Sequence, residues 1–300
     1  MKSTLTDAYA VCEEVVKKHS SSFYRAFSVL PVDKRNAVWA IYAFCRTVDN
    51  IVDGQPGQAV PLLNEFEISF DRMLSGRPEP HPHWLALRDV FDRYPMDAAP
   101  FWDMVLGQRL DLKKFRYRTQ AELEHYCYLV AGTVGLMLLP VLSPVHSDDM
   151  KRKAVKLGVA MQITNILRDV AEDYERGRVY LPEDVMSRYG YSEQDIAAGS
   201  SARGWAPLFR HLAEWAEECY NEGLSAQLHY PRDSRLALAS AALIYRQILV
   251  ESRLRHGDVF SSRVRVSNMK KVTLMISLLA KRNTWSKSSI ELETQGRFTC

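Results

Sequence analysis

The sequence lacks several features that mark secreted, zinc-binding or membrane-spanning proteins. Its five cysteines are scattered and form no Cys-x-x-Cys pair, which excludes a disulfide framework and the common structural zinc sites. The longest apolar runs, around residues 134–142 and 272–280, fall short of the ~18 residues that span a bilayer. The N-terminus carries no apolar core of signal-peptide length. We therefore expect a reduced, cytoplasmic protein that touches a membrane only peripherally, if at all.

Motifs for several cofactor classes are also missing. The eight histidines show no His-Glu-x-x-His spacing, and the small-residue run Ala131-Gly-Thr-Val-Gly135 lacks both a Gly-x-Gly-x-x-Gly pattern and a following Lys-Ser/Thr. The run is therefore interpreted as a place of close packing within a helix rather than as a phosphate loop. Since no dinucleotide-binding fingerprint is present, we expect no NADPH site, although a nicotinamide site can be built without that fingerprint.

Charge is nearly balanced overall but unevenly distributed. The net charge of +3 is too small to indicate nucleic-acid binding. Between Arg253 and Lys287, however, there are nine Lys or Arg and a single acid, Asp258. Such a run is typical of a solvated basic face, of a site for an anionic substrate, or of contact with an anionic membrane surface.

Strand-like alternation is rare, whereas apolar residues recur with helical periodicity through most of the chain. The pattern predicts helices over 31–52, 122–139, 150–175, 207–228 and 236–255, with a shorter one within 20–30. No composition shift marks a boundary, so the prediction is one all-α domain over residues 1–300, with a polar tail from about residue 283.

Two acidic stretches, Asp49-Asn-Ile-Val-Asp53 and Asn165-Ile-Leu-Arg-Asp169-Val-Ala-Glu-Asp173, indicate the chemistry. A four-residue repeat places both carboxylates of a stretch on one helical face, although like charges at that spacing repel slightly. Two such faces opposite each other would offer oxygen ligands to Mg²⁺, which usually completes its shell with substrate phosphates. The sequence therefore predicts a magnesium–diphosphate enzyme.

The neighbours of these carboxylates strengthen that prediction. Gln162, Asn165, Asp169 and Asp173 form one polar stripe on an otherwise apolar helix, which predicts a buried helix whose stripe needs partners or ions. The stripe holds no basic member, which disfavours a plain internal salt-bridge network. On the first helix, Arg46 lies on the same face as the carboxylates and could pair with Asp49 or clamp diphosphate oxygens.

Six segments of the chain resemble the squalene/phytoene synthase family across residues 19–271. They are His19-Ser-Ser-Ser-Phe-Tyr24, Val38-Trp-Ala-Ile-Tyr-Ala-Phe-Cys-Arg46, Asp49 with Asp53, Tyr126-Cys-Tyr-Leu-Val-Ala-Gly-Thr-Val-Gly135, Gln162-Ile-Thr-Asn-Ile-Leu-Arg-Asp-Val-Ala-Glu-Asp173 and Arg176-Gly-Arg-Val-Tyr-Leu-Pro182. The last three are long and specific. The resemblance implies an isoprenoid-synthase helical bundle around a central cavity, and head-to-head condensation of two prenyl diphosphates through a cyclopropyl intermediate.

The resemblance also implies roles for individual residues. Two or three Mg²⁺ would be bound by Asp49, Asp53, Asn165, Asp169 and Asp173. The catalytic residues would be these four aspartates together with Arg46 and Tyr126. The substrate would be contacted by Ser20, Ser22, Phe23, Phe27, Arg46, Tyr126, Gln162, Asn165, Tyr245 and Arg263. The glycines of the small-residue run would pack against a prenyl chain.

The length of the donor is the open question. The N-terminal third of the chain, including bulky Phe27 and Trp39, resembles bacterial dehydrosqualene (4,4'-diapophytoene) synthases. A large side chain at the floor of a cavity shortens the prenyl chain that fits. We therefore expect two farnesyl diphosphates as donors. Segment 103–182 resembles phytoene synthases, which condense geranylgeranyl diphosphate, at least as closely. Squalene synthesis, farnesyl diphosphate hydrolysis and a non-catalytic lipid-binding or assembly role stay open as alternatives, and the sequence does not indicate the oligomeric state.

Overall fold

The computed structural model describes residues 4–54, 57–113, 115–199 and 204–281, and the predicted polar tail lies outside them. These residues form helices joined by short loops, and within them the only β-pairing is one isolated parallel bridge between Arg116 and Val179. The all-α prediction is confirmed. The helices are α1 Leu5–His19, α2 Ser21–Phe27, α3 Val32–Val52, α4 Ala59–Leu74, α5 Pro82–Arg93, α6 Ala99–Asp111, α7 Gln120–Cys127, a π-helical turn Tyr128–Gly132, α8 Thr133–Leu142, α9 Asp148–Glu175, α10 Glu183–Arg188, α11 Glu193–Ala197, α12 Trp205–Leu224, a 3₁₀ turn Gln227–His229, α13 Arg232–Leu254 and α14 Asn268–Lys281.

The two helices that carry the acidic stretches begin at strong local signals. Pro31 precedes α3 with a fixed φ of −52°, as proline favours at a helix start. The Ser147 hydroxyl accepts the Met150 N–H at 3.3 Å and so caps α9, whose first turn holds two aspartates. Capping oxygens and acidic side chains both satisfy the exposed N–H groups and the dipole at a helix start. The predicted helices 31–52 and 150–175 therefore agree with the structure to within two residues.

Helix α9 is the central helix of the fold. It contacts α7, α8, α12, α13 and the π turn, and Ile163, Ile166, Leu167 and Val170 are all buried. One continuous buried cluster extends from α1 to the segment before α14. The expected burial of α9 on its apolar sides follows directly from this position.

The small residues of Ala131–Gly135 serve helix packing. A Cβ on Gly135 would lie 2.3 Å from the Ala154 carbonyl oxygen, and one on Gly158 would lie 2.1 Å from the Ala131 carbonyl oxygen. Only glycine permits backbones to approach this closely. The glycines therefore hold the π turn and α8 against α9, and the expectation that they also pack against a prenyl chain stays a prediction.

The helical stretch Gln120–Leu142 is longer than the apolar run predicted within it. By length and composition it could cross a membrane, but 61% of its most apolar window is buried inside the protein, as expected for a core helix. The four cysteines within the described residues are Cys12, Cys45, Cys127 and Cys219, all buried free thiols.

Candidate active site

The two acidic stretches lie on opposite walls of one cavity of about 230 Å³, here called the acidic cleft. Asp49 and Asp53 come from the C-terminal end of α3, and Asp169 and Asp173 come from the C-terminal end of α9. The full lining is Asp49, Asp53, Gln108, Asp111, Tyr126, Val130, Gln162, Asn165, Ile166, Arg168, Asp169, Asp173, Arg176, Arg178 and Tyr180. The fold thus brings together four carboxylates and two amides that the sequence separates by more than a hundred residues.

Asp49 occupies the deep end of the first wall. Its carboxylate accepts a hydrogen bond from the Gln108 amide, while the Arg46 guanidinium stands 4.0 Å away. Desolvation in the cleft raises the pKa of Asp49 to about 7, and the nearby charges of Asp53 and Asp111 act in the same direction. Burial and neighbouring negative charges disfavour the ionised form of this carboxyl group, and a bound cation would stabilise that form.

Asp53 is connected to a buried acid that the sequence did not single out. The Arg178 guanidinium lies 3.1 Å from Asp53 and 3.4 Å from Asp111, whose carboxylate also accepts the Tyr180 hydroxyl at 2.8 Å. Asp111 is only 5% exposed, and burial raises its pKa. No functional role was predicted for four residues of this part of the cleft, which are Gln108, Asp111, Arg178 and Tyr180. Two of them lie in segment 176–182, which is one of the segments that carry the family resemblance.

Asp169 is already paired on the second wall. It accepts hydrogen bonds from Arg168 of its own helix and from Arg263 at 3.0 Å, and Arg263 also lies 3.1 Å from Glu172. The stripe itself holds no basic residue, but Arg168 of the same helix and Arg263 of the basic segment supply basic partners to Asp169. The role of Arg263 near diphosphate stays a prediction.

Asp173 lies one turn beyond Asp169 on the same wall. Burial, followed by the charge of Asp169, raises its pKa to about 7, against the opposing effect of Arg176 and Arg178. Two carboxyl groups on opposite walls, Asp49 and Asp173, thus share the same shift for the same physical cause.

The oxygen atoms of the cleft are suited to a hard divalent cation that a bound ligand would also coordinate. All are carboxylate or amide oxygens, the type that Mg²⁺ prefers, and the Asn165 Oδ1 atom is buried in the cleft without a hydrogen-bond partner. Within the described ranges, no group of three or more His, Cys, Asp or Glu side chains that could hold a metal ion is found. Mg²⁺ usually completes its shell with substrate phosphates, so a bound anion would fit beside these donors.

A second, mainly apolar cavity of about 210 Å³ adjoins the acidic cleft. The two share Asp49, Val130, Gln162 and Asn165 as lining residues. The rest of this apolar cavity is formed by Phe23, Phe27, Ile41, Tyr42, Cys45, Met104, Ala131, Val134, Gly135, Leu138, Leu142, Ala154, Leu157, Gly158, Met161, Tyr230, Leu238, Ala241 and Tyr245. The combined space suits a molecule with an anionic head and a long apolar tail.

Aromatic rings lie along both parts of this space. Phe23 packs on Phe27 with ring centroids 4.4 Å apart and on Tyr42 at 4.9 Å. In the acidic cleft, Tyr126 stacks on Tyr180 at 5.1 Å. Burial raises the pKa of Tyr126 far above its usual range, so it stays a neutral phenol whose ring face can stabilise a nearby cation.

Some predicted residues stand apart from the lining. The Ser20 hydroxyl caps α2 by accepting the Phe23 N–H at 3.2 Å, and neither Ser20 nor Ser22 lines either cavity. Arg46 lies beside Asp49, with its Nε atom buried and unpaired. Trp39 is fully buried behind the cavity, stacked on Tyr24 at 5.4 Å, so it supports the wall and does not form the floor.

Comparison with known proteins gives the same result as this geometry. A sequence model of the family described as Squalene/phytoene synthase matches residues 16–270, so this chain belongs to that family. It is 39% identical to a phytoene synthase from Arthrospira platensis over 90% of this chain and 92% of that one. It is 36% identical to a 15-cis-phytoene synthase from Synechococcus elongatus over 92% of this chain and 94% of that one. A crystal structure of a dehydrosqualene synthase in complex with ligand matches with a TM-score of 0.89 and 41% identity, over 94% of this chain and 98% of that one.

The reaction class follows from this membership. The protein is a prenyltransferase of isoprenoid and carotenoid biosynthesis that condenses two prenyl diphosphates head to head. Members of the family use a divalent metal with their prenyl diphosphates. The predicted fold, reaction class and substrate class are confirmed.

Proposed function

We propose that the two donors are farnesyl diphosphates, which gives dehydrosqualene (4,4'-diapophytoene) and releases diphosphate. The observation that carries this proposal is the continuity of the acidic cleft with an apolar cavity whose lining includes Phe27, Leu142 and Tyr230. The Phe27 side chain is 3% exposed and packs on Phe23, and we infer that it closes the apolar end of the cavity. The name of the dehydrosqualene synthase structure, at 41% identity, supports the same product.

In this proposal Asp49, Asp53, Asn165, Asp169 and Asp173 hold two or three Mg²⁺ ions. The cations would neutralise charge on the departing diphosphate. Arg46 and Arg263 would supply further positive charge from the two walls, each with a guanidinium close to a cleft carboxylate. Gln162 lies where the cleft meets the apolar cavity, and so is placed to orient the bond that breaks.

The aromatic side chains would protect the carbocation. Tyr126 lines the acidic cleft, and Tyr42 and Tyr245 line the apolar cavity. Their rings would face the carbocation and would exclude water from it. A dry site lined by fixed dipoles and rings stabilises developing positive charge without solvent reorganisation. The coupling product then stays unreduced, so the proposal includes no NADPH.

A second candidate is phytoene synthesis from two geranylgeranyl diphosphates. The observation that favours it is the name shared by the curated relatives, which are 36–39% identical over about nine-tenths of the chain. The two candidates differ only in the length of apolar chain that the cavity accepts.

Incubation of the protein with Mg²⁺ and each donor, with and without NADPH, separates these candidates by the mass of the product. We expect a C30 hydrocarbon from farnesyl diphosphate, unchanged by NADPH. A C40 product formed at higher kcat/KM would overturn the donor assignment. A reduced C30 product, or farnesol alone, would indicate squalene synthesis or diphosphatase activity instead.

The boundary residue can be tested directly. Phe27→Ala should raise the use of geranylgeranyl relative to farnesyl diphosphate in a competition assay, because it removes the side chain that closes the apolar end. Phe70→Ala is the matched control, since Phe70 is fully buried but packs on Phe44 and Trp102 away from the cavity. The preference is a ratio measured on one sample, so loss of folded protein cancels. Equal ratios for both variants would remove Phe27 as a length determinant.

We also propose a cytoplasmic location with peripheral membrane contact, because the product is an apolar hydrocarbon with no favourable place in water. The four buried thiols are compatible with a reducing compartment.

A further inference from the structure

Helix α3 borders a separate cavity on the side that faces away from the acidic cleft. This cavity of about 230 Å³ is here called the α3–α4 pocket, and no described residue lines both it and either of the two cavities above. Phe44, Thr47 and Ile51 of α3 line the pocket, and at about 100° per residue they lie opposite Asp49 and Asp53 on that helix. The pocket is therefore distinct from the space assigned to the prenyl diphosphates.

Aromatic rings form the apolar part of the α3–α4 pocket. The ring centroids of Phe66 and Trp84 are 4.9 Å apart, and those of Phe44 and Phe66 are 5.1 Å apart. All three side chains are less than a tenth exposed, so packing with their neighbours fixes this aromatic wall before any ligand arrives. Such a wall suits a small apolar ring or chain.

The charged residues that line the α3–α4 pocket are acidic. They are Glu65 of α4 and Glu79 of the loop before α5, and none of the described lining residues is Lys or Arg. Glu79 Oε1 accepts a hydrogen bond from Arg72 at 3.1 Å, which compensates part of its charge from outside the lining. No described residue forms an ion pair with the Glu65 carboxylate. The pocket therefore favours a cation and disfavours an anion.

His83 adds an acceptor to this lining and no positive charge. The Thr47 hydroxyl donates to the Ala43 carbonyl oxygen at 2.8 Å, so the Thr47 oxygen accepts from the Nδ1–H group of His83 at 3.4 Å. This contact assigns the ring hydrogen to Nδ1 and leaves Nε2 as an acceptor. Burial lowers the pKa of His83 to about 4, and the charge of His81 acts in the same direction. The ring therefore stays neutral near pH 7.

We propose that the α3–α4 pocket binds a small organic ammonium ion that carries an apolar ring or chain. Its N–H groups donate to the Glu65 and Glu79 carboxylates and to Nε2 of His83, while its apolar part packs on the aromatic wall. Charge-assisted hydrogen bonds and contact between the cation and the rings stabilise such an ion. A metal ion fits less well, since no group of three or more His, Cys, Asp or Glu side chains that could hold one is found among the described residues.

Isothermal titration calorimetry of the full chain with three probes of similar shape tests the ligand class. The probes are phenethylamine, which is an ammonium ion at neutral pH, the uncharged phenethyl alcohol and the anion hydrocinnamate. Phenethylamine should bind roughly tenfold or more tightly than the alcohol, because hydrogen bonds to charged groups are stronger than those between neutral groups. Hydrocinnamate should bind more weakly than either.

A double variant tests the place of binding. Glu65→Gln/Glu79→Gln keeps the size of both side chains and removes both charges, so phenethylamine should bind roughly tenfold or more weakly. The matched control is Glu218→Gln/Glu222→Gln, which changes the net charge equally at two exposed positions of α12 and should bind as the unaltered protein does. Circular dichroism and Tm show that both variants are folded.

Two results would overturn the proposal. One is equal affinity of the unaltered protein for phenethylamine and phenethyl alcohol. The other is equal affinity of the α3–α4 pocket variant and its α12 control for phenethylamine, which is also the result expected if the amine binds in the acidic cleft instead. Neither titration depends on which prenyl diphosphate is the donor, so failure of the donor assignment leaves this proposal standing.

Discussion

Substitution of Gly158 by alanine should push the π turn Tyr128–Gly132 away from α9, the helix that forms the second wall of the acidic cleft. The added Cβ would lie 2.1 Å from the Ala131 carbonyl oxygen, 1.3 Å closer than the 3.4 Å of ordinary contact. Because that neighbour is backbone, no side-chain rotation can relieve the overlap. The π turn must therefore move away from α9, and the Asn165 and Asp169 positions shift relative to Tyr126.

The expected size of the effect combines two opposing contributions. Overpacking in a well-packed interior costs about 1–3 kcal/mol, and a backbone clash belongs at the upper end. Alanine regains about 1 kcal/mol of helix propensity over glycine. The net loss of unfolding free energy is about 2 kcal/mol, which corresponds to a fall in Tm of roughly 3 °C for a protein of this length. Since a misplacement of about 1 Å can cost on the order of a hundredfold in rate, kcat should fall at least as visibly as Tm.

Differential scanning fluorimetry and product formation measure the two effects, with Gly107→Ala as the control. A Cβ on Gly107 would meet Leu129 Cβ at 2.8 Å and Val130 Cγ1 at 3.0 Å, which are side-chain atoms at a milder overlap. Gly107→Ala should therefore cost less in both measurements. Unaltered Tm and kcat in Gly158→Ala, or a larger loss in Gly107→Ala, would refute the argument that this close backbone approach positions the π turn and Tyr126 relative to α9.

Three further predictions concern the charges of the cleft. Asp169→Asn should abolish product formation while circular dichroism stays helical, because it removes a predicted metal ligand; turnover at the unaltered rate would refute that role. The raised pKa values of Asp49 and Asp173, both about 7, mean that the folded protein holds protons that the unfolded chain has released between pH ~4 and ~7. Their contribution to stability therefore falls as pH rises from ~4 to ~7. Binding of Mg²⁺ with inorganic pyrophosphate should strengthen as pH rises through 7 and should release protons, which calorimetry in buffers of different ionisation enthalpy detects. Binding that does not depend on pH would contradict this. Arg178→Gln and Asp111→Asn should each lower the free energy of unfolding by about 1–3 kcal/mol. In denaturant unfolding, the loss in the double variant should be smaller than the sum of the two single losses by at least ~0.5 kcal/mol. Strict additivity would mean that the two side chains are not coupled.

Local patterns were sufficient to predict the secondary structure of the site. The 3.6-residue periodicity and the starting signals Pro31 and Ser147 lie within a few residues of the helices that they specify, so α3 and α9 could be predicted from the chain alone. The four-residue repeats of Asp49 with Asp53 and of Asp169 with Asp173 fix each pair on one face for the same reason. The resemblance of whole segments to a known family then predicted that these two faces lie opposite each other, which no local pattern indicates.

Contacts between distant segments could not be predicted in this way. Arg178 joins Asp53 and Asp111, which are 125 and 67 positions away in the sequence, and no periodicity relates such positions. Arg263 reaches Asp169 across 94 residues, so the ion pairs of the second wall were invisible until the chain folded. Trp39 and Phe27 are both bulky aromatic residues, yet of the two Phe27 alone lines the cavity.

The helices, the acidic faces and the family chemistry could be predicted from the chain, because they depend on residues that are neighbours along one helix or within one motif. Only folding sets how closely the π turn packs on α9, which guanidinium groups pair with the cleft carboxylates, and which side chains line the apolar cavity. Those properties arise from close packing between helices. The Ala131 carbonyl oxygen, for example, lies 2.1 Å from where a Cβ on Gly158 would stand, so only glycine permits the observed approach of the π turn to α9. The apolar side chains that α14 exposes are a property of the same kind, because the exposure of a side chain depends on how the rest of the chain packs around its helix.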